Sequence, residues 1–560
     1  MQTSQRPATA GFAGRTMFDQ SGGRIKDKVL VRFSTRVIAT ILAIGLVALP
    51  AISIAKHFRW SSQGDASTMD PHANDEGFNN GQNNQVYDTL TQRDKEYRIV
   101  PWLATSWEKI TPTKWIVRLR KGVNFQNGTP FTADDVIFSF DRARISDSTF
   151  KLYANQAGIA HKIDDHTVEF TTPVPNPIMH ESIGTIMIMS KAWAEKNNAV
   201  RPQNFRGKED TYASRHAMGT GPFQLVSYEP GVKTLYKKNP GWWGIKEGHF
   251  DGNVETIEYR PISNSATRMA ALRSGELDFV LDPPVQDVQK LREDAALKVW
   301  EGSEIRVVFI GFDQARTELL YSDVKGKNPF KDVRVRKALY QAVDIEAIKT
   351  QIMRGLAKPT AITMSDPQGA GVRPELEKRY PFDPAAAKKL LVEAGYPNGF
   401  GFTLNCPNDR YINDEKICTA LAVMWARVGV NARVETTTRA KYFQKVSKLD
   451  TSAFMLGWGG DPDAIWSLKP VLHSRNNFGA GDANYGDFKH AKLDGLIDSI
   501  EGEMDSAKRV AMINEAVKIV QDEVLTIPLH RQVIAWVSRA NVSVVHQPSN
   551  IMIPMWVTLR

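Results

Sequence analysis

Cysteine is scarce in this chain. Cys406 and Cys418 are the only two in 560 residues, and eleven intervening positions with no histidine beside them is not zinc-site spacing. The eleven histidines are scattered; His161 and His166 stand five apart and no HExxH string occurs, which argues against a metal centre built from side chains. GxSxG, P-loop and GxGxxG strings are missing as well. Ser322 and Lys325 satisfy SxxK, but the SDN and KTG strings that accompany it in hydrolases are absent. Gly219-Thr220-Gly221-Pro222-Phe223 is followed by neither the helix nor the lysine that phosphate binding requires. Nucleophilic and metal-assisted catalysis find no candidate constellation, and no cofactor is expected.

Long basic runs are also lacking. The formal charge is +9, from 71 Lys and Arg against 62 Asp and Glu. Residues 1–55 hold seven of the bases (Arg6, Arg15, Arg24, Lys26, Lys28, Arg32, Arg36) and only two acids, Asp19 and Asp27. Much of the excess therefore belongs to the leader, and nucleic acid is not an expected partner. Beyond the leader no apolar run is long enough to span a membrane. Val37 to Ala55 is uncharged, follows Arg32 and Arg36, and ends in Ser53-Ile54-Ala55, a small-x-small string of the kind cleaved from secretory signal peptides. An uncleaved N-terminal anchor is the alternative, because this stretch approaches spanning length. Either way the remainder is exported, and in an oxidising compartment Cys406 and Cys418 read as a disulfide joining a strand end to the next helix. Closing that loop would stabilise the fold by about 3 kcal/mol.

The length calls for two or three domains. Strand and helix patterns alternate without internal repeats, which argues for an α/β protein. The most telling stretch is 115–142, WIVRLRKGVNFQNGTPFTADDVIFSFDR. Trp115, Val117 and Leu119 alternate with Ile116, Arg118 and Arg120, the period of a half-buried strand. Asn127-Gly128 makes a turn. Thr132 and Asp135 have capping-box spacing, and Asp134 and Asp135 occupy the first helical turn, where the helix dipole favours carboxylates. Residues 85–110 read as a helix, a charged turn and a Trp-rich segment. Residues 268–280 read as a helix ended by Gly275 and followed by a strand, 306–314 as a strand and 328–344 as a helix. Residues 382–400 have Asp383 as N-cap, Pro384 in the first helical position and Gly395 past the end.

The stretch GV-F--G-PFTADDV-FS resembles the signature of bacterial extracellular solute-binding proteins of the dipeptide, oligopeptide and nickel type, which deliver ligands to ABC importers. Further collinear matches are Val86-Tyr87 with Leu90, P-LA-SWE at 101–108, GTGPF at 219–223 and R--AL-SGE-D at 268–278. PF-D-RVR-AL--A-D at 329–344, DP--AK-LL-EAGYP-GF at 383–400 and IPLH-Q at 527–532 follow. The resemblance covers residues 57–560. It implies a two-lobed periplasmic-binding-protein fold of type II, α/β, with an extra domain inserted in the first lobe. Expected boundaries are 1–55 for the signal peptide or anchor, 56–90 for the start of lobe I and 91–215 for the inserted subdomain. Lobe I resumes over 216–303, lobe II spans 304–527, and the return to lobe I is 528–560. Crossings between the lobes are expected at 304–314 and 525–535.

A ligand trapped between lobes must touch both. In MLGWGGDPDAIW (455–466), Trp458 offers a flat apolar surface, Gly459 and Gly460 permit close backbone approach, and Asp461 supplies a carboxylate. In peptide-binding members an Asp shortly after GW takes the ligand's α-amino group, and the matching position is Asp461, with Asp463 close behind. Asp-Pro-Asp is equally a good turn. Arg410 lies where dipeptide-binding relatives place an arginine against the ligand's C-terminal carboxylate. Gly77 and Phe78, in the loop Asn74–Asn80, match the first-lobe segment that pairs with peptide backbone. Trp242 and Trp243 read as packing residues. The function implied is a monomeric, periplasmic substrate-binding component of an ABC importer that takes peptides and hands them to permease subunits. Alternatives are an opine, glutathione, an oligosaccharide or a nickel chelate on the same scaffold, or an exported hydrolase.

Overall fold

The two longest strands organise the molecule. In the computed structural model, which describes residues 56–560 apart from Arg206, Gly460, Asp461, Asn477 and Phe478, Leu297–Phe312 and Thr526–Arg539 run antiparallel side by side. Both pass from one lobe to the other. The C-terminal end of Leu297–Phe312 pairs with Ala453–Gly459, which lies parallel to Phe400–Pro407, itself parallel to Val430–Thr437. The C-terminal end of Thr526–Arg539 pairs instead with Phe279–Val280, beside His57–Ser61 and Thr256–Tyr259. The result is a hydrogen-bonded sheet of eleven strands shared by two lobes. The pairing register shifts between Ser303 and Val307, where the strands pass from the first set of partners to the second. A bulge of this kind bends and twists a strand, so the ladder is weakest at the crossing.

Residues 307–312 of the first crossing strand are apolar or glycine and buried throughout, as expected of a strand covered on both faces. Period-two alternation sends Val308, Ile310 and Phe312 into one core and Val307 and Phe309 into another. The parallel strands Phe400–Pro407 and Val430–Thr437 are joined by the helix Asp414–Ala426, the crossover that parallel pairing requires. Cys406, near the end of the first strand, is bonded to Cys418 on that helix.

Ala104–Thr111, Lys114–Leu119, Thr167–Thr171 and Ile159–Asp164 form a separate four-stranded antiparallel sheet. Its own core includes Trp115, Val117, Phe140 and Phe170. The helix Ala133–Arg144 covers it and begins as its sequence dictates. The Thr132 N–H donates to the Asp135 carboxylate at 3.0 Å, and the other carboxylate oxygen accepts from the Lys191 N–H at 2.9 Å. The family signature at this point is thus a folding device: it caps a helix and ties down a distant chain segment.

The helix expected at the start of 85–110 is absent. Val86 to Leu90 is buried and neither helix nor strand, and the only helix nearby, Gly77–Asn83, precedes it. Its backbone is claimed from afar: Gly221 N–H donates to the Val86 carbonyl at 2.8 Å and Phe223 N–H to the Gln85 carbonyl at 2.9 Å. A Cβ on Gly219 or Gly221 would lie 2.1 or 2.6 Å from the Val86 oxygen, so GTGPF needs its glycines for this close approach. Asp88, fully enclosed in the same segment, accepts from the indoles of Trp102 (2.7 Å), Trp243 (3.0 Å) and Trp242 (3.2 Å) and from the Thr220 hydroxyl (2.8 Å). Trp242 and Trp243 are therefore packing residues with a polar anchor.

Candidate ligand site at the seam between the lobes

The two lobes meet in this structure. Ile178, from the segment following the antiparallel sheet, belongs to the same core as Ile497 and Ile500 of lobe II. Met504 packs in return against the core of the antiparallel sheet. Tyr153 and Trp466 face one another with ring centroids 5.4 Å apart.

At the hinge, the final residues of Ala453–Gly459 lie against the first crossing strand, with Trp458 opposite Val307 and Gly459 opposite Arg306. A Cβ at Gly459 would be 2.6 Å from the Ile305 carbonyl and 3.3 Å from the Arg306 guanidinium carbon. Glycine is needed there because the Ile305 carbonyl leaves no room for a Cβ, and the Arg306 side chain lies over the same spot. Trp458 is half-buried and its indole donates to the Trp466 carbonyl at 2.7 Å, which fixes the ring. Gly457 is bare for the same reason as Gly459: the Tyr411 ring occupies the space of its Cβ, and the Tyr411 hydroxyl donates to the Gly457 carbonyl at 3.3 Å.

Tyr411 brings Arg410 to this edge. The Asp414 carboxylate, at the start of its helix, accepts from the backbone N–H of both Arg410 and Tyr411 at 3.0 Å, fixing the turn that carries them. The Arg410 guanidinium lies 5.2 Å from the Tyr411 ring centroid. It is half-buried, and among the described residues its side chain meets no hydrogen-bond acceptor and no carboxylate within ion-pair reach. Burial pulls its pKa below the ordinary arginine value, and the guanidiniums of Arg306 and Arg439 add to that. An arginine stays charged regardless, so among the described residues the hinge end of the seam holds a guanidinium with no paired carboxylate.

Asp463 has a different fate. Its carboxylate takes both terminal nitrogens of Arg509 at 2.7 Å and caps Ile465 N–H at 2.9 Å. Both partners are about nine-tenths covered, and the group is engaged in holding lobe II together. Asp461 and Gly460 lie outside the described residues. On the lobe I side, Gly77 is exposed and opens the helix Gly77–Asn83 with Glu76 as its N-cap. The segment is helical there, so it presents no extended edge for pairing with a peptide backbone. Phe78 is half-buried against Tyr259 (5.2 Å) and Trp60 (5.9 Å).

Two groups escaped sequence reasoning. Asp75, two residues before Gly77, has a carboxylate that accepts from Asn80 at 2.8 Å and from the Tyr153 hydroxyl. The surrounding chain raises its pKa by burial, and Tyr153 in turn touches Trp466 across the seam. Arg306 is the other. Its Nε donates to Glu304 at 3.0 Å, the second oxygen of Glu304 accepts from Gln532 at 2.5 Å, and Gln532 accepts from the Ile412 N–H at 3.1 Å. That chain ties both crossing strands to the turn bearing Arg410. A lone arginine opening an apolar strand was the available signal. An open recess of about 500 Å³ between Gln203, Arg215 and Tyr228 is lined by none of the candidate residues. Among the described residues, no three His, Cys, Asp or Glu side chains are grouped to hold a metal, and no helix is long and apolar enough to cross a membrane.

Residues 98–479, more than half the chain, match the family model described as bacterial extracellular solute-binding proteins, family 5 Middle. The chain belongs to that family. Members are solute-binding proteins rather than enzymes, and they act outside the cytoplasm. The heme-binding protein A of Haemophilus influenzae is 29% identical over 486 residues, 81% of this chain and 83% of the relative. The dipeptide-binding protein of Escherichia coli is 27% identical over 521 residues, 86% and 91% of the two chains. Among solved structures, the periplasmic binding protein DppA of Helicobacter pylori in complex with peptide STSA superposes with a TM-score of 0.72 at 23% identity, covering 90% of this chain and 98% of that one. The fold of this family 5 protein is the two-lobed type II periplasmic-binding-protein fold with an extra domain inserted in lobe I.

Proposed function

We propose that this family 5 protein captures di- and oligopeptide-like solutes in the seam between its lobes and delivers them, as a monomer in the periplasm, to the permease subunits of an ABC importer. The half-buried Arg410 guanidinium, which has no acceptor among the described residues, carries the reading. A peptide's terminal carboxylate is a planar anion that takes two parallel N–H bonds from an arginine. Trp458 and the bare backbone at Gly459 offer the adjoining surface, and Asp461, beyond Gly460, supplies the counter-charge for the ligand's ammonium. A relative named for dipeptides supports the same ligand class. Capture at micromolar affinity needs about 8 kcal/mol net, within reach of two charge-assisted ends plus stacking.

Titration calorimetry of the full chain against di- and tripeptides tests this, with glutathione, heme, an opine, an oligosaccharide and a nickel chelate in parallel. Peptide binding weakened at least tenfold by Asp461→Asn, with the melting temperature of the free protein nearly unchanged, is the expected result. Binding confined to the non-peptides overturns it. So does recovery of cleaved peptide by mass spectrometry.

A further inference from the structure

Arg410 does not stand alone at the hinge. Arg306 projects over Gly459 from the crossing strand. Only its Nε is engaged, by Glu304; its two terminal nitrogens donate to no acceptor among the described residues. The exposed Arg439 opens the helix Arg439–Val446, again with no side-chain acceptor among the described residues. The nearby carboxylates are spent on the backbone. Asp414 accepts from Arg410, Tyr411 and Glu415 N–H groups, and Asp409 from the Arg439 N–H at 2.5 Å. Among the described residues, Glu304 on Arg306 is the only carboxylate paired directly with any of these three guanidiniums. A single ligand carboxylate on Arg410 leaves the free fork of Arg306 unanswered, and a half-buried cation without a partner is unfavourable.

We infer that the preferred ligand is a peptide with two carboxylates at its C-terminal end, a peptide ending in Asp or Glu, whose α-carboxylate meets Arg410 and whose side-chain carboxylate meets the terminal nitrogens of Arg306. The inference rests on the peptide reading above and narrows it. Glu304 holds Arg306 through Nε and leaves its two terminal nitrogens without an acceptor among the described residues, the pair that a second carboxylate would take bidentately. Because Glu304 also holds Gln532, and Gln532 holds the Arg410 turn, both arginines are positioned by one hydrogen-bonded chain.

The test compares Ala-Glu with Ala-Gln, which differ by one charge at nearly constant shape, in calorimetry on the full chain and on Arg306→Gln. The wild type should bind Ala-Glu at least tenfold more tightly. Arg306→Gln should weaken Ala-Glu at least fivefold more than it weakens Ala-Gln, and Arg306→Lys should keep part of the preference. Equal wild-type affinity for the two dipeptides overturns the inference and leaves the peptide reading standing. Equal weakening of both by Arg306→Gln also overturns it, because that pattern belongs to a hinge prop rather than a ligand contact. Binding of neither dipeptide, with a non-peptide bound instead, removes both proposals together.

Discussion

Replacing Arg410 by glutamine separates a binding residue from a structural one by the sign of two effects. In a structural ion pair, removing one partner strands the other, and the loss is about 3–5 kcal/mol when the pair is buried. Asp463–Arg509 is such a pair here. Arg410 strands nothing: its side chain has no acceptor among the described residues, and its largest electrostatic neighbour is another cation, Arg306. Arg410→Gln should leave the free protein as stable as before or slightly more stable, since burial and charge repulsion both oppose the guanidinium. With ligand bound, the same change removes a two-pronged charge-assisted contact. At roughly 1.5–3 kcal/mol for hydrogen bonds to a charged group, the expected cost is about 3 kcal/mol, on the order of a hundredfold in Kd. Urea unfolding of the free protein gives the first number and calorimetry with a dipeptide the second. A free protein destabilised by more than about 1 kcal/mol, with ligand affinity intact, would refute the reasoning and return Arg410 to the scaffold.

Two further predictions concern the frame that carries the site. Asp88→Ala leaves three indole N–H groups and one hydroxyl without their acceptor; at about 1 kcal/mol each the loss in urea unfolding should be about 4 kcal/mol, and a loss under about 1 kcal/mol would show the cluster to be incidental. His530, on the second crossing strand, is fully buried with neither ring nitrogen bonded, and burial pushes its pKa down to about 4; His72 and His546 are likewise pushed down to about 4. These folded-state values lie below the unfolded value of about 6.5, so the unfolded chain binds more protons between pH 6.5 and 4. Stability is fully present above pH 6.5 and falls as the pH drops through that window. His530 alone accounts for a loss of up to about 3 kcal/mol. His530→Leu should flatten this acid limb in unfolding measured at pH 4.5 and 7, and an unchanged slope would show that His530 does not supply it.

Local signals in the sequence were legible because they are settled within a few residues. Thr132 with Asp135, Gly275, and Asp383-Pro384 with Gly395 each start or stop a helix by contacts with their own neighbours, and each does so in the structure. Where the sequence misled, the deciding partner was distant. Val86 to Leu90 has apolar spacing that suits a helix, yet the carbonyls of Val86 and of Gln85 just before it are taken by Gly221 and Phe223, more than a hundred residues away. The first crossing strand begins at Leu297 rather than near 304, because Leu297 to Ser303 alternates polar and apolar residues and becomes strand only by pairing with 533–539. The site divides along the same line. Trp458 and Gly459 were legible as a bare, ring-bearing edge. Arg306 gained meaning only when strand pairing put it over Gly459.

The hinge chain bears on why a ligand would hold the lobes together. Apolar contacts already join them: Ile178 in the lobe II core, Met504 against the core of the antiparallel sheet, and Tyr153 against Trp466. Closure through such contacts alone gains modestly from buried area, and it leaves the half-buried Arg410 guanidinium and the terminal nitrogens of Arg306 without an acceptor among the described residues. A carboxylate in the seam removes that second, unfavourable part only in the closed arrangement, where both arginines and the opposite lobe are in reach together. It therefore has a differential affinity for the closed state, the one property by which a ligand shifts such an equilibrium. The shift can be no larger than that difference. The register shift at Ser303 to Val307 bends the crossing strands beside Arg306, so a ligand held at the proposed site would act where the hinge turns.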